Sequence, residues 1–349
     1  MRKRLIAFLL ILAAGLLLPP SRAEGEGPVT IHAASAVVMS GTGDVIFDFK
    51  GDTRRLIAST TKLMTALVTL EHASPEETVP IPPACAAVEG SSMYLKAGAV
   101  YTVRELLEGL LLASGNDAAL ALACHVAGSA EDFAALMNEK AQALGMTGSH
   151  FANPHGLDDP AHYGTARDLA VLMAACLEND TLASLLAERS AVVGEQTYIN
   201  HNKLLSLCPG CLGGKTGYTE AAGRCLVSCC EREGTRLICV TLGDPDDWAD
   251  HQELYNWAFA RYSTRRVSES LSFSVPVLGG QAERIRVGAE EAAFFLPRSA
   301  EVTLVAHLPR FVFAPVQEGE AAGRAEVFCN GEKIGEMALF YAETVEEAA

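Results

Sequence analysis

A serine three residues ahead of a lysine can do chemistry, and the chain has one such pair in Ser59-Thr60-Thr61-Lys62. If Ser59 opens a helix, this spacing sets its hydroxyl and the Lys62 amine on one face. The pair is then a nucleophile beside a base, provided the amine can shed its proton. Burial and a second cation lower a lysine pKa toward about 7 to 8. Two more motifs follow in order, Ser114-Gly115-Asn116 and Lys215-Thr216-Gly217. Lys215 is the candidate second cation, Ser114 can relay a proton, and the Asn116 amide can hold a peptide bond. The Ser59 N–H at a helix start and a strand N–H after the third motif can receive a developing oxyanion. Gly217 would let a substrate backbone approach the strand closely. The chemistry these groups share is acyl transfer through a serine ester.

Each motif alone is weak, since a Ser-x-x-Lys arises by chance about once in a chain of this length. The elements that must carry them give the set its weight. Leu63, Leu67 and Leu70 recur at helical spacing after Ser59, so the first motif opens a helix. Thr102-Val103-Arg104-Glu105 is a capping box ahead of the apolar run Leu106 to Leu112, whose helix delivers the second motif into an interhelical loop. Similar boxes at Ser129 and Thr165 predict helices over about 131–144, stopped by Gly145, and 166–177. Strands are expected over Val29 to Met39 and Val45 to Phe49, around a turn at Gly41-Thr42-Gly43-Asp44. Cys225 to Cys230 and Leu237 to Leu242 form a second hairpin through Glu231-Arg232-Glu233-Gly234, with Lys215-Thr216-Gly217 just before it. A helix from Asp247 to about Tyr262 ends this part. From Val267 to Tyr341, short alternating runs at Leu271 to Val277, Val302 to Val305 and Glu326 to Phe328 indicate a small all-β domain.

The 349 residues, 49% hydrophobic and 20% charged, suffice for a sizeable core and about two domains. Residues 1–23 combine Arg2, Lys3 and Arg4, an apolar run from Leu5 to Leu18, Pro19-Pro20 and Ser21-Arg22-Ala23. This is the pattern of a secretory signal cut after Ala23, with an uncleaved N-terminal anchor as the alternative; the run is shorter than the roughly 18 residues of a membrane span. The formal charge is −16, and removing the basic leader makes the chain more acidic still. Nucleic acid and anionic membrane surfaces are therefore not expected partners.

At these motifs the chain resembles the low-molecular-mass penicillin-binding proteins that act as serine-type D-alanyl-D-alanine carboxypeptidases. The likeness extends through Ile57 to Thr65, Gly90-Ser91-Ser92, Ser114 to Ala119, Phe151 to Leu157, Asn200-His201-Asn202, Gly214 to Thr219 and Ala222-Gly223, from about residue 28 to 262. A weaker likeness to the family's C-terminal domain rests on Ala314-Pro315-Val316 and Gly319.

The resemblance implies an α/β (α+β) serine acyl-transferase fold of the penicillin-binding and β-lactamase type. That fold has an antiparallel sheet, a helical subdomain and a small all-β C-terminal domain. The expected division is a signal at 1–23, a catalytic domain at 24–264 and a β-rich domain at 265–349.

By the same resemblance Ser59 attacks the carbonyl between the last two D-alanines of a peptidoglycan stem peptide, releasing D-alanine, and water cleaves the acyl-enzyme. Lys62 is then the general base, Ser114 and Asn116 with Lys215, Thr216 and Gly217 shape the site, and the Ser59 and Tyr218 N–H groups form the oxyanion hole. β-Lactams should acylate Ser59, no cofactor or metal is implied, and the place of action is extracytoplasmic.

Other enzymes share part of this chemistry. A serine β-lactamase is one alternative, but no clear glutamate loop of the class A type stands between the second and third motifs. A catalytically idle cell-wall binding protein is another, opposed by the complete set of catalytic residue types. The short acidic tail from Phe340 to Ala349 departs from the amphipathic membrane-lying helix common in the family, which leaves peripheral membrane contact open.

Ten cysteines are unusual for such a chain. Cys124, Cys176, Cys225, Cys229 and Cys239 lie in apolar segments and read as small core residues. Cys208-Pro209-Gly210-Cys211 fits redox chemistry or zinc. Zinc would need two more ligands, and adjacent Cys229 and Cys230 on a strand point to opposite faces. A local disulfide and free thiols both stay open. His150, His155 and His162 have spacings that suit no short metal motif and are taken as loop or packing residues. Asp244, Asp246 and Asp247 are taken as a solvated helix entrance, and Arg224 as a structural or exposed strand arginine rather than a carboxylate binder.

Overall fold

Ser35–Ser40 (β1) has no charged side chain and is buried at every position, the pattern of a strand covered on both faces. The computed structural model describes residues 30–86, 88–268 and 273–349, so the expected signal at 1–23 lies outside the described residues. After β1 come Val45–Phe49 (β2), a hairpin of Thr78–Pro80 (β3) with Val100–Thr102 (β4), and another of Ser190–Val193 (β5) with Gln196–Ile199 (β6). Cys211–Thr219 (β7), Gly223–Arg232 (β8) and Thr235–Leu242 (β9) complete the main sheet. It is antiparallel throughout, in the order β2-β1-β9-β8-β7. The expected strand from Val29 begins only at Ser35, while β2 and the second hairpin fall where their alternation and turn residues put them.

Alternation along these strands splits the core in two. Val37, Met39, Val227, Cys229, Ile238 and Val240 face the helical subdomain, while Val38, Leu226, Cys230, Leu237 and Cys239 face the last helix of this part. The subdomain is built from Lys62–His72 (α1), Val103–Leu112 (α2), Asn116–Ala127 (α3), Ala130–Ala143 (α4), Ala166–Glu178 (α5) and Asp180–Ala187 (α6). The single turn Leu204–Leu207 (α7) precedes β7, and Asp247–Arg261 (α8) covers the opposite face of the sheet.

Helix α1 is buried from Lys62 through Thr69, so it is a central helix enclosed on all sides rather than an amphipathic one on the surface. Alanines at 118, 119, 121 and 123 of α3 are all buried, and their small side chains let it pack closely in the same core. The capping box on α2 is complete: Thr102 Oγ1 accepts from the Glu105 N–H at 3.2 Å, and Glu105 Oε2 accepts from the Thr102 N–H at 2.7 Å. Ser129 and Thr165 cap α4 and α5 in the same way, each accepting from the N–H of an aspartate three residues on. Among the described residues no single helix is long and apolar enough to cross a membrane.

Beyond α8 the described residues form the strands Tyr262–Arg266 (β10), Phe273–Leu278 (β11), Arg284–Ala289 (β12), Ala293–Pro297 (β13), Val302–His307 (β14), Val312–Phe313 (β15), Ala321–Cys329 (β16) and Glu332–Tyr341 (β17). A six-stranded sheet runs β14-β16-β17-β12-β11-β15, and β10 pairs with β13. Val275, Ile285, Val327 and Leu339 lie in a core of its own. Arg298 joins it to the larger unit, its backbone N–H donating to Arg261 O at 2.7 Å and its Nε to Phe259 O at 2.8 Å.

Candidate active site

The first motif does not begin on an α-helix. Ala58–Thr61 form a 3-10 turn, and α1 starts at Lys62. Ser59 and Lys62 still meet, with Lys62 Nζ 2.7 Å from Ser59 Oγ. Lys62 Nζ also donates to Asn116 Oδ1 at 2.7 Å and to His155 O at 2.6 Å. A neutral amine has two hydrogens, which these two oxygens accept; its lone pair is then left for the Ser59 hydroxyl. Burial first, and the Lys215 charge second, hold Lys62 well below the ordinary lysine pKa. The environment thus favours the amine that a base requires.

Ser114 stands at the junction of α2 and α3 with φ +59°, a left-handed conformation uncommon for a non-glycine residue. Lys215, delivered by β7, donates to Ser114 Oγ at 3.1 Å and to Thr216 O at 2.9 Å. Its burial lowers its pKa to about 7. Asn116 opens α3, and its Nδ2 donates to Glu89 O at 2.6 Å while its Oδ1 is taken by Lys62. Its evident work in this structure is to hold Lys62; one Nδ2 hydrogen remains for a substrate carbonyl.

Gly217 departs from expectation in what its missing side chain admits. A Cβ there would come within 2.9 Å of the Ser59 backbone nitrogen and 3.1 Å of Ile57 O. Glycine is needed so that β7 can lie against the turn carrying the nucleophile, which brings the start of the helix and the strand to one place. A cavity of about 580 Å³ opens over this junction, lined by Ser59, Ser114, Thr216, Gly217 and Tyr218. Lys62, Asn116 and Lys215 are buried behind them. All eight sequence-derived site residues therefore converge on one place.

Another part of the wall carries two cations and one carboxylate, Asp247. Lys203 and Arg224 line the cavity with His201 and Trp248. Arg224 Nη2 donates to Asp247 Oδ1 at 2.7 Å and Oδ2 at 2.9 Å, and its guanidinium carbon lies 5.4 Å from the Trp248 ring centroid. The expectation of a merely structural or exposed Arg224 is thus incomplete, since it faces the cavity. The expected solvated helix entrance is overturned at two of its three aspartates: Asp244 and Asp247 are buried, and only Asp246 is largely exposed. Asp247 goes inside because it pairs with Arg224, a partner 23 positions away that local charge patterning does not show.

Two contributors are not among the expected site residues. Asp117 is buried and accepts from Ser92 Oγ at 2.6 Å and from the N–H groups of Met93 and Leu95, each at 3.0 Å. It ties the Gly90-Ser91-Ser92 loop beside α3, where Asn116 N–H donates to Ser91 O at 2.7 Å. Its adjacency to the second motif was the available signal. His162, taken as a loop or packing residue, lies 2.7 Å by Nε2 from Thr61 Oγ1 inside the first motif.

A Ser–Lys pair at the head of a buried helix, a second Ser–Lys contact beside it and an antiparallel sheet edge define a serine acyl-transfer enzyme of the penicillin-binding type. Residues 22–246 match the D-alanyl-D-alanine carboxypeptidase family of S11 peptidases, and residues 270–347 match the penicillin-binding protein 5 C-terminal domain. The chain belongs to this carboxypeptidase family.

It is similar to D-alanyl-D-alanine carboxypeptidase DacB2 of Mycobacterium tuberculosis, at 41% identity over 58% of this chain and 74% of that one. It is similar to DacF of Bacillus subtilis at 30% identity over 99% and 95% of the two chains. Among solved structures, penicillin binding protein 5 of Haemophilus influenzae superposes with a TM-score of 0.72 at 28% identity, over 93% of this chain and 100% of that one. Penicillin binding protein 6B of Escherichia coli gives 0.73 at 27%, over 90% and 97%.

Proposed function

We propose that the chain removes the terminal D-alanine from peptidoglycan stem peptides ending in D-Ala-D-Ala, through an ester on Ser59, and so limits cross-linking. As Ser59 Oγ attacks the carbonyl, its proton passes to Lys62 Nζ. The ammonium that results has three hydrogens facing three acceptors, Ser59 Oγ, Asn116 Oδ1 and His155 O. The protonated state is therefore fully bonded at the moment when it forms. The backbone N–H groups of Ser59 and Tyr218 take the oxyanion. Ser114, in contact with Lys215, gives its hydroxyl proton to the leaving D-alanine amine and regains one in a net transfer from the Lys62 ammonium, so that Lys62 is neutral again and can activate the water that cleaves the ester. Lys203 and Arg224 suit the terminal carboxylate of the substrate, in a chain otherwise strongly acidic. β-Lactams acylate the same serine.

The reading extends to the whole chain. Residues 1–23 serve as an export signal cut after Ala23, residues 24–264 carry catalysis, and 265–349 form the accessory β domain. Peptidoglycan lies outside the cytoplasm, which agrees with an exported protein, secreted or held at the envelope.

The observation that carries the proposal is the 2.7 Å approach of Ser59 Oγ to a buried amine whose two other partners are oxygens. Incubation with a diacylated Lys-D-Ala-D-Ala peptide should release free D-alanine, and Ser59→Ala should release none above background. Intact-mass analysis should find one penicilloyl adduct, absent from Ser59→Ala. Undiminished labelling of that variant would refute the nucleophile, and rapid penicillin turnover without D-alanine release would make the protein a β-lactamase.

A further inference from the structure

The acylation chemistry leaves Cys208-Pro209-Gly210-Cys211 unused. Cys208 ends α7, Cys211 opens β7, and Cys211 lies across from Cys230 in the β7–β8 ladder. Cys230 Sγ is 3.4 Å from Cys208 Sγ, and all ten cysteines are thiols. A disulfide requires about 2.05 Å, so closing the bond needs the two sulfurs to approach by a further ~1.4 Å. The pair also sits under a fixed cation. Arg232 donates from Nη2 to Cys208 Sγ at 3.6 Å, and it is held by Pro209 O at 3.1 Å through Nε and by Asn256 Oδ1 at 3.0 Å through Nη1.

The rest of the molecule provides the contrast. Cys85 and Cys124 have Sγ atoms 3.8 Å apart, but burial pushes the Cys85 thiol up to about 12. Cys225 and Cys229 are raised to about 11 and 12, again by burial. Cys208 moves the other way, down to about 6, through its hydrogen bond with Cys230 and the added pull of Arg232. Cys211, half-buried and opposite Cys230, is lowered as well, first by its hydrogen bond with Cys230, while of the closer pair Cys208 keeps 4% exposure and Cys230 none. The Arg232 charge opposes a metal cation at this place. Among the described residues no three His, Cys, Asp or Glu side chains converge as metal ligands.

We propose that Cys208 and Cys230 are a redox-active thiol pair that exchanges with external disulfides and closes to an intramolecular disulfide. The Cys208 thiolate attacks one sulfur of a disulfide R–S–S–R, forming Cys208–S–S–R and releasing one thiolate. Cys230 gives up its proton and attacks Cys208 Sγ, forming the Cys208–Cys230 bond and releasing the second thiolate. Two electrons pass from the cysteine pair to R–S–S–R, which leaves as two R–SH. The bond ties the end of α7 to β8, and with it the segment that carries His201 and Lys203 on the cavity wall to the sheet that carries Lys215.

The test equilibrates the full chain without air across a series of reduced to oxidised glutathione ratios, then quenches in acid, unfolds and alkylates. Intact mass should show ten alkyl groups at the reducing end and two fewer at the oxidising end, reversed by dithiothreitol. Fragmentation of the linked peptide should place the bond at Cys208 and Cys230. The link should persist in Cys211→Ser and Cys229→Ser, and vanish in Cys208→Ser and Cys230→Ser. Penicillin labelling of each variant reports that it has folded, and fragmentation of the wild-type peptide decides the pairing should a variant fail. Ten alkylated thiols at every ratio would overturn the proposal, as would a link through Cys211 or through Cys85 and Cys124, or a stable glutathione adduct that never resolves.

Discussion

Lys62 is buried completely, yet every hydrogen it carries in either protonation state has an oxygen to receive it. Removing the amine while keeping an apolar stem, as in Lys62→Met, should slow penicillin acylation by roughly 10² to 10⁴-fold, the usual worth of a general base. Time-resolved labelling would show it. Lys215 shapes the same proton equilibrium from the other side, since its charge is the second cause of the lowered Lys62 pKa. Lys215→Ala takes away that repulsion, so Lys62 should keep its proton to higher pH. The acid limb of the acylation profile, followed over about pH 5 to 10, should then move upward. The height of the profile will fall as well, because Ser114 loses its partner, and Lys215, whose own pKa burial lowers to about 7, drops out of the same titration range. A limb that stays in place or moves down would contradict the coupling.

At the scale of an element, the 3-10 turn Ala58–Thr61 is what aims the serine, and it is strained. Ala58 has φ +45°, a left-handed conformation that costs a non-glycine residue on the order of 1–3 kcal/mol. The surroundings over-determine it. Thr61 Oγ1 donates to Ala58 O at 2.7 Å, and Gly156 lies so close that a Cβ would stand 2.0 Å from that same oxygen. His162 completes the chain. Its Nδ1 accepts from the Ala152 N–H at 3.1 Å, so its proton is on Nε2, which donates to Thr61 Oγ1. His162 is thus a positioning residue. His162→Ala should slow acylation about tenfold with little change in initial penicillin affinity, and His162→Gln, which keeps a donor in reach, should recover part of the loss. Equal rates in all three proteins would remove the role.

These partners also mark the limit of what the sequence shows. The i, i+3 spacing of Ser59 and Lys62 and the caps of α2, α4 and α5 are local patterns, and each is legible within a few residues. The left-handed Ala58, the Gly156 approach and the His162 bond come from segments roughly a hundred positions apart in sequence, which no local periodicity encodes. The same holds for Asp247, whose partner Arg224 is on another element, and for Cys230, which a reading of adjacent strand faces separated from its neighbours. For Gly217 the residue type was informative, but the atom it makes room for was not.

Over the whole molecule, the groups that titrate on folding set its response to acid. Burial lowers His155 and His162 to about 4 and His251 to about 3. His251, on α8, lies against the sheet with Ser228 Oγ at 2.8 Å and Thr241 Oγ1 at 3.1 Å. Each of the three has a folded pKa below its unfolded value of about 6.5, so on acidification the unfolded chain takes up protons first. Stability is lost from about pH 6.5 down to the folded pKa, after which both states are charged and the loss stops. Asp244 acts in the opposite direction. Burial raises it to about 6, so the folded state binds its proton first and gains as pH falls toward the unfolded value of about 4. The effect of Asp244 is about 3 kcal/mol, and so is that of each of His155 and His162; with His251 added, the histidines prevail. The urea midpoint should therefore fall between about pH 7 and 4.5, and His251→Gln, which cannot titrate, should show a shallower decline than the wild type. A midpoint that is flat or rising over that interval would mean that the buried imidazoles do not govern the acid side of this fold.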